Sequence, residues 1–263
     1  MKTNGTNPFD LHDRRIWVIG GAGYLGQSVV KSLAQLGADV LCADLPGKAG
    51  EFVAAAGLGS HVRAADFDIT QTNTTADWIE RQIDEHGTPH GVAVLTYAST
   101  AKRLEELSAA DFDSVCHGNL TATFVFARCM AMRMADEGGG SLALFSSMYG
   151  TVSPDPSIYE PPMNTNPVEY GVNKAGIQQM ARYFAVHFGK QNVRCNAISP
   201  GPFPNPGLQQ SNPAFVERLS KKVPLGRVGQ AGEIAGAVAF LLSDAASYVN
   251  GINLPVDGGW TAW

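Results

Sequence analysis

Tyr170 and Lys174 stand four residues apart, so a helix through them presents both side chains on one face. A phenol with its ordinary pKa of about 10 is a poor base at neutral pH, and an ammonium one turn away favours the deprotonated form. Tyrosine and lysine often share that spacing on solvated helices. The pair gains meaning from Ser147, which closes a strand candidate, and Asn119, inside the preceding helix candidate. A second constellation is Gly20-Gly21-Ala22-Gly23-Tyr24-Leu25-Gly26, directly after an apolar run. A tight glycine turn that opens a helix aims backbone N–H groups at a pyrophosphate, and the helix dipole favours the anion. Asp44 follows Gly26 by 18 residues at the end of the next strand candidate. An acid there binds the adenosine ribose hydroxyls of a dinucleotide and repels a 2′-phosphate, which favours NAD over NADP. The competing readings are that Asp44 caps a turn and that Lys48 supplies a counter-charge. Together these residues suit proton transfer at a hydroxyl beside a bound nucleotide.

Positioning such residues requires alternating elements. Strand candidates are Ile16–Gly20, Asp39–Ala43, Val62–Ala65, Val92–Tyr97, Ser141–Ser146, Arg194–Ser199 and Ile252–Val256. Most are continuously apolar, as strands buried on both faces of a parallel sheet are. Helix candidates between them are Leu25–Leu36, Thr75–His86, Ser108–Ala135, Glu169–Phe188, Pro213–Lys221 and Ala231–Ser243. The helix stripe through Tyr170 and Lys174 continues as Ile177, Ala181, Phe184 and Phe188, facing either core or partner. Gly37 and Gly189 follow helices where a left-handed cap suits glycine. The repeated alternation predicts a doubly wound α/β sheet in a single domain over 1–263. Residues 1–13 are expected to be a loose polar leader without the apolar core of a signal peptide. Two proline-rich segments, 148–168 and 200–213, interrupt the alternation after strand ends, where open α/β sheets bind ligands. Both are expected to wall a substrate site.

Composition narrows the alternatives. The 263 residues are 44% apolar and 16% charged, which excludes a disordered chain and a coiled coil. A net charge of −5 with no basic block argues against nucleic acid or a membrane surface as partner. The longest apolar stretch, Ile234 to Leu242, is far short of the roughly 20 residues that span a bilayer. Cys42, Cys116, Cys129 and Cys195 form no CxxC pair and read as buried reduced thiols of a cytoplasmic protein. The histidines show no metal spacing, since Gly87 and Pro89 interrupt His86 and His90. No G-x-S-x-G elbow and no P-loop is present. The 29 glycines are an excess that points to tight turns or ligand contacts.

The chain resembles the short-chain dehydrogenase/reductase family along nearly its whole length. The resemblance rests on the turn Gly20–Gly26, Asp68-Ile69-Thr70, Asn119-Leu120, Ser146-Ser147 and Tyr170-Gly-Val-Asn-Lys174. It continues through Asn196-Ala-Ile-Ser-Pro-Gly201, Pro224-Leu-Gly-Arg-Val-Gly and Val256-Asp-Gly-Gly259. It implies a mainly parallel seven-stranded Rossmann-type sheet with helices on both faces. The implied reaction is hydride transfer between a nicotinamide, NAD(H) or NADP(H), and a carbonyl or secondary alcohol carbon. Tyr170 would be the general acid/base, and Lys174 would lower its pKa and hold the nicotinamide ribose. Ser147 would orient the substrate oxygen, and Asn119 would anchor a proton-relay water. Asp68 and Ile69 would flank the adenine, with Pro200 and Gly201 beside the nicotinamide. Gly20, Gly23, Tyr24, Leu25, Gly26, Asp44, Leu45, Tyr97, Ala98, Ser99 and Phe203 complete the implied cofactor site. A homotetramer or homodimer is implied, with the helices near Ser108 and Glu169 packing across a two-fold axis.

Three departures stand out. The glycine turn is one residue short and, as Gly-Ala-Gly-Tyr-Leu-Gly, is similar to the branch acting on nucleotide sugars. Thr96-Tyr97-Ala98-Ser99 replaces the family's Asn-Asn-Ala-Gly, altering polar support for the cofactor loop. Ser147 and Tyr170 lie 23 residues apart, more than is usual. Tyr159 would suit the usual spacing, but its fourth successor is Met163, which cannot stabilise a phenolate. Tyr159 therefore reads as a pocket residue. The insertion, with Tyr149, Tyr159, Glu160 and Asn164, suits a polar ring-shaped substrate such as a sugar derivative. The alternatives are an epimerase or dehydratase that recycles its cofactor, and a non-catalytic NAD-binding sensor.

Overall fold

All seven apolar runs become strands of one parallel sheet in the computed structural model, which describes residues 7–263. They are β1 (Arg15–Ile19), β2 (Asp39–Asp44), β3 (Val62–Asp66), β4 (Gly91–Val94), β5 (Gly140–Phe145), β6 (Val193–Pro200) and β7 (Asn253–Val256). Their order is β3-β2-β1-β4-β5-β6-β7, and every pairing is parallel. The order reverses between β1 and β4, which opens a crevice at their C-terminal ends.

Helices cover both faces, because the inner strands alternate two apolar faces that must leave water. On one face α1 (Tyr24–Gln35), α2 (Lys48–Ala56) and α9 (Ala231–Leu242) bury Val29, Leu33, Phe52, Ile234 and Val238 against Val18, Val40 and Ala143. On the other, α3 (Thr75–His86), α5 (Ala122–Asp136) and α6 (Val168–Phe188) bury Trp78, Phe126, Ile177 and Phe184 against Trp17, Leu41 and Leu142. The stripe Ile177, Ala181, Phe184, Phe188 thus faces the core.

Several expectations change. Part of the expected loose leader is docked: Leu11 is buried, Phe9 packs on Phe240, and the Pro8 carbonyl accepts from Ala245 N–H at 2.9 Å. Residues 1–6 of that leader lie outside the described residues. Helix Ser108–Ala135 is instead α4 (Ala109–Cys116), a π-turn His117–Thr121, and α5. Gly189 does not adopt a left-handed cap. It continues right-handed, and Asn192 takes the positive φ of 62° three residues later. Gly37 does end α1 in the left-handed region, at φ 89°.

The 200–213 segment is not a plain loop. It contains α7 (Pro206–Ser211) and leads into α8 (Pro213–Lys222). Asn205 and Asn212 each cap a helix whose first residue is proline, accepting from Leu208 N–H at 2.9 Å and Phe215 N–H at 3.0 Å. Asn-Pro is a start signal because the cap oxygen satisfies a free N–H while proline lacks the donor next to it. The 148–168 insertion docks on α8. Ile158 and Tyr149 join Phe215, Leu219 and Trp260 in one apolar cluster. Arg218 adds a hydrogen bond to the Ile158 carbonyl at 2.8 Å and an ion pair with Glu160 at 2.9 Å.

Candidate active site

β1 runs into the glycine turn, where the backbone does the work. Gly20 has φ 81°, and the N–H groups of Gly20 and Gly21 both donate to the Ala43 carbonyl, at 2.8 and 3.1 Å. Gly23 caps α1 without a side chain, and the first turn of α1 carries no acid. A Cβ on Gly26 would overlap the Gly20 carbonyl oxygen, so the shortened turn needs glycine at both ends. Asp44, on the neighbouring strand, accepts from Ala22 N–H at 2.9 Å and Leu45 N–H at 2.8 Å. Its carboxylate is thereby fixed against the turn.

Two adjoining cavities flank this turn and share Gly20, Gly23, Leu95 and Tyr97. One, about 270 Å³, is lined by Asp44, Leu45, Asp68, Ile69, Ala98 and Gly118, among others. The other, about 290 Å³, includes Tyr24, Leu25, Ser147, Tyr170, Lys174, Pro200, Gly201 and Phe203. The residues fit a dinucleotide. The uncapped α1 N-terminus meets both cavities, glycines keep its approach open, and the buried Thr96 Oγ1 has no partner among the described residues. Asp68 is held by Thr70 N–H and hydroxyl at 3.0 and 2.7 Å, and these bonds keep its carboxyl below the ordinary range. Ser99 lies off both cavities. It is exposed and accepts from Ala101 N–H, because the chain turns away after Ala98. Lys48, the expected counter-charge, lines the Asp44 cavity; Gly118, Phe145 and Asn205 also line the cavities, and no spacing in the sequence marks them.

Asn119 sits on the π-turn and is fully buried. Its amide clasps one residue: Oδ1 accepts from Ala98 N–H and Nδ2 donates to Ala98 O, both at 2.7 Å. A Cβ on Gly118 would lie 3.1 Å from the Ala98 side chain, so the helix meets the loop closely there. π-turns cluster at functional sites for this reason: one extra residue re-aims a side chain.

Lys174 is buried, with Nζ donating to the Phe145 carbonyl at 3.0 Å and lying 5.5 Å from the centre of the Tyr170 ring. Burial lowers its pKa to about 7. Burial also raises the Tyr170 phenol, an effect that the Ser147 hydroxyl opposes. The net effect contradicts the expected lowering of the Tyr170 pKa. Desolvation prevails, and the amine is turned onto a carbonyl rather than onto the phenol oxygen. Ser147 ends the β5 connection and accepts from Tyr149 N–H at 3.2 Å. Ser146 hydroxyl donates to the Lys174 carbonyl at 2.8 Å and accepts from Gln178 at 3.1 Å, fastening α6 to the strand ends.

Tyr149, expected at the substrate, lines neither cavity. Its ring is packed in the insertion cluster and its hydroxyl bonds that of Tyr159 at 2.8 Å. Burial and the Tyr159 hydroxyl keep Tyr149 protonated. Tyr159 instead faces a larger cavity of about 860 Å³ beneath the insertion, with Asn164, Asn166 and several prolines.

Comparison with known proteins gives the family. Residues 21–261 match a family model described as enoyl-(acyl carrier protein) reductase. A 2,5-dichloro-2,5-cyclohexadiene-1,4-diol dehydrogenase of Sphingobium indicum is 33% identical, over 96% of this chain and 99% of that protein. The chain belongs to the short-chain dehydrogenase/reductase family. As a member it is an NAD(P)-dependent oxidoreductase. A D-threitol dehydrogenase of Mycolicibacterium smegmatis is 31% identical, covering 96% of this chain and 95% of that one. Among solved structures, a short-chain dehydrogenase of Leptospira borgpetersenii with bound NAD+ aligns with a TM-score of 0.84 at 28% identity, over 97% and 96% of the two chains. Among the described residues no helix is long and apolar enough to cross a membrane.

Proposed function

We propose that this oxidoreductase interconverts a secondary alcohol and its carbonyl with NAD(H), using Tyr170 as general acid/base. One observation carries the reading: Ser147, Tyr170 and Lys174 share a cavity that adjoins the Asp44 and Asp68 cavity across the glycine turn. A bound nicotinamide supplies one thing, exchange of hydride with the reacting carbon. The remaining work falls to the chain. The Ser147 hydroxyl fixes the substrate oxygen, and the Tyr170 oxygen takes or gives the hydroxyl proton. Lys174, held by the Phe145 carbonyl with its Nζ 5.5 Å from the centre of the Tyr170 ring, supplies in its protonated form a positive charge that favours the phenolate left when Tyr170 gives up its proton. The relay role implied for Asn119 falls to its main chain, since Ala98 engages both amide atoms.

Asp44 favours NAD, because a carboxylate held by two backbone N–H groups cannot swing away from a 2′-phosphate. The cavity beneath the insertion receives the remote part of a hydroxylated substrate, a polyol or ring such as a sugar derivative. Tyr159, Asn164 and Asn166 supply polar contacts between proline walls. The names of the threitol and cyclohexadiene-diol relatives support that class. Exposed Phe124, Met132, Val172 and Tyr183 on α5 and α6 suit a homodimer or homotetramer, and free cysteines suit the cytoplasm. The test is NADH formation across a panel of polyols, cyclic diols and sugar alcohols. Net NADH with at least one of them supports the reading. Substrate conversion without net NADH favours cofactor recycling, and NADH binding without conversion favours a sensor.

A further inference from the structure

Glu169 immediately precedes Tyr170 in the first turn of α6 and is fully buried. Its Oε1 accepts two hydrogen bonds from Thr100, from the backbone N–H at 3.2 Å and from the hydroxyl at 2.7 Å. Its Oε2 is buried with no partner among the described residues. A carboxyl half unpartnered in the interior is costly unless its remaining contacts secure something. What they secure is the segment Tyr97–Lys102, whose residues Tyr97 and Ala98 line the nucleotide cavities.

That segment needs outside support. Ala101 adopts φ 56°, which an L-residue holds only when its surroundings impose it. Three side chains from other elements do so. Asn119 clasps Ala98, Glu169 holds Thr100, and Asn164 of the insertion donates to the Ala101 carbonyl at 3.0 Å. Thr100 Oγ1 also accepts from Lys102 N–H at 3.1 Å, so the hydroxyl that Glu169 orients closes the turn itself.

We infer that Glu169 is a positioning residue for the cofactor site: its buried carboxyl ties the Tyr97–Lys102 wall to the turn that carries Tyr170. The inference rests on reading the two adjoining cavities as the dinucleotide site. Without the tie the segment samples other conformations, and NADH affinity falls by the fraction that remains competent.

The experiment is a double-substitution cycle read by NADH titration, with melting temperature measured alongside. Glu169→Gln keeps an acceptor for Thr100, whereas Glu169→Leu fills the space with none. The Gln variant is expected within about threefold of the parent, and a folded Leu variant to bind NADH about tenfold more weakly. Thr100→Val is expected to weaken the parent several-fold but to add less than about twofold on Glu169→Leu. A merely structural loss would lower both melting temperatures without that coupling. Parent-like NADH affinity in folded Glu169→Leu, or independent multiplication of the two effects, overturns the inference. If Glu169→Leu does not fold, Thr100→Val decides, since unchanged NADH affinity there overturns it equally. Failure of the parent itself to bind NADH would instead remove the reading on which it rests.

Discussion

Replacing Asp44 with asparagine should erase most of the preference for NAD. The carboxylate is clamped by Ala22 and Leu45 N–H groups at 2.9 and 2.8 Å, so its charge stays fixed at the place we propose for the ribose 2′ substituent. Two unit charges about 4 Å apart interact by about 1 kcal/mol in water and about 4 kcal/mol at an effective dielectric of 20. Lys48 lines the same cavity and offsets part of the repulsion, so we take about 2 kcal/mol, a factor of about 30. Losing a charged acceptor for the ribose hydroxyls removes about 1.5 kcal/mol from NAD, roughly another tenfold. The ratio of kcat/KM for NAD over NADP should therefore fall by about two orders of magnitude in Asp44→Asn. The assay is steady-state kinetics with both nucleotides and one alcohol. A ratio unchanged within threefold, or a parent that prefers NADP, would refute the reasoning.

Two further outcomes follow from the geometry. Gly26→Ala sets a methyl group against the Gly20 carbonyl and 2.9 Å from Gly21 backbone atoms, none of which can rotate away. It should weaken NADH at least about tenfold by calorimetry and lower the melting temperature, and parent-like binding would contradict that. Lys174 has its pKa lowered from 10.5 to about 7 by burial, so between those values the unfolded chain binds the extra proton. Stability should rise with pH across that window, by about 2 kcal/mol from pH 7 to pH 9, relative to Lys174→Met. Urea unfolding of the nucleotide-free protein at both pH values checks this, and parallel profiles for the two proteins would refute it.

The sheet was legible because most of its strands are largely apolar runs, and all seven lie within a few residues of their expected bounds. The gathering of the glycine turn, Asp44, Ser147, Tyr170 and Lys174 around two adjoining cavities was legible because each position depends on residue type at a strand end or on one helix face. What was not legible depends on contacts distant in sequence. Glu169 and Thr100 are 69 residues apart, and no spacing announces their bond. The π-turn that carries Asn119, and the close approach of Gly118 to Ala98 within it, are not encoded by local periodicity. The lysine effect on Tyr170 was expected from charge alone, yet burial of both groups outweighs it. By contrast, α7 was readable after all, from Asn205-Pro206. Pro206 and Pro213 open their helices because proline breaks a helix interior but suits the first position, where no N–H is needed.

In the proposed reaction Tyr170 moves the proton while the dinucleotide binds independently of its hydroxyl. Tyr170→Phe removes only that oxygen from a largely buried ring. With NADH titration and turnover measured on the same preparation, the account predicts NADH affinity within about threefold of the parent and kcat reduced by about a thousandfold or more. Turnover retained within tenfold in a variant that still binds NADH would contradict it.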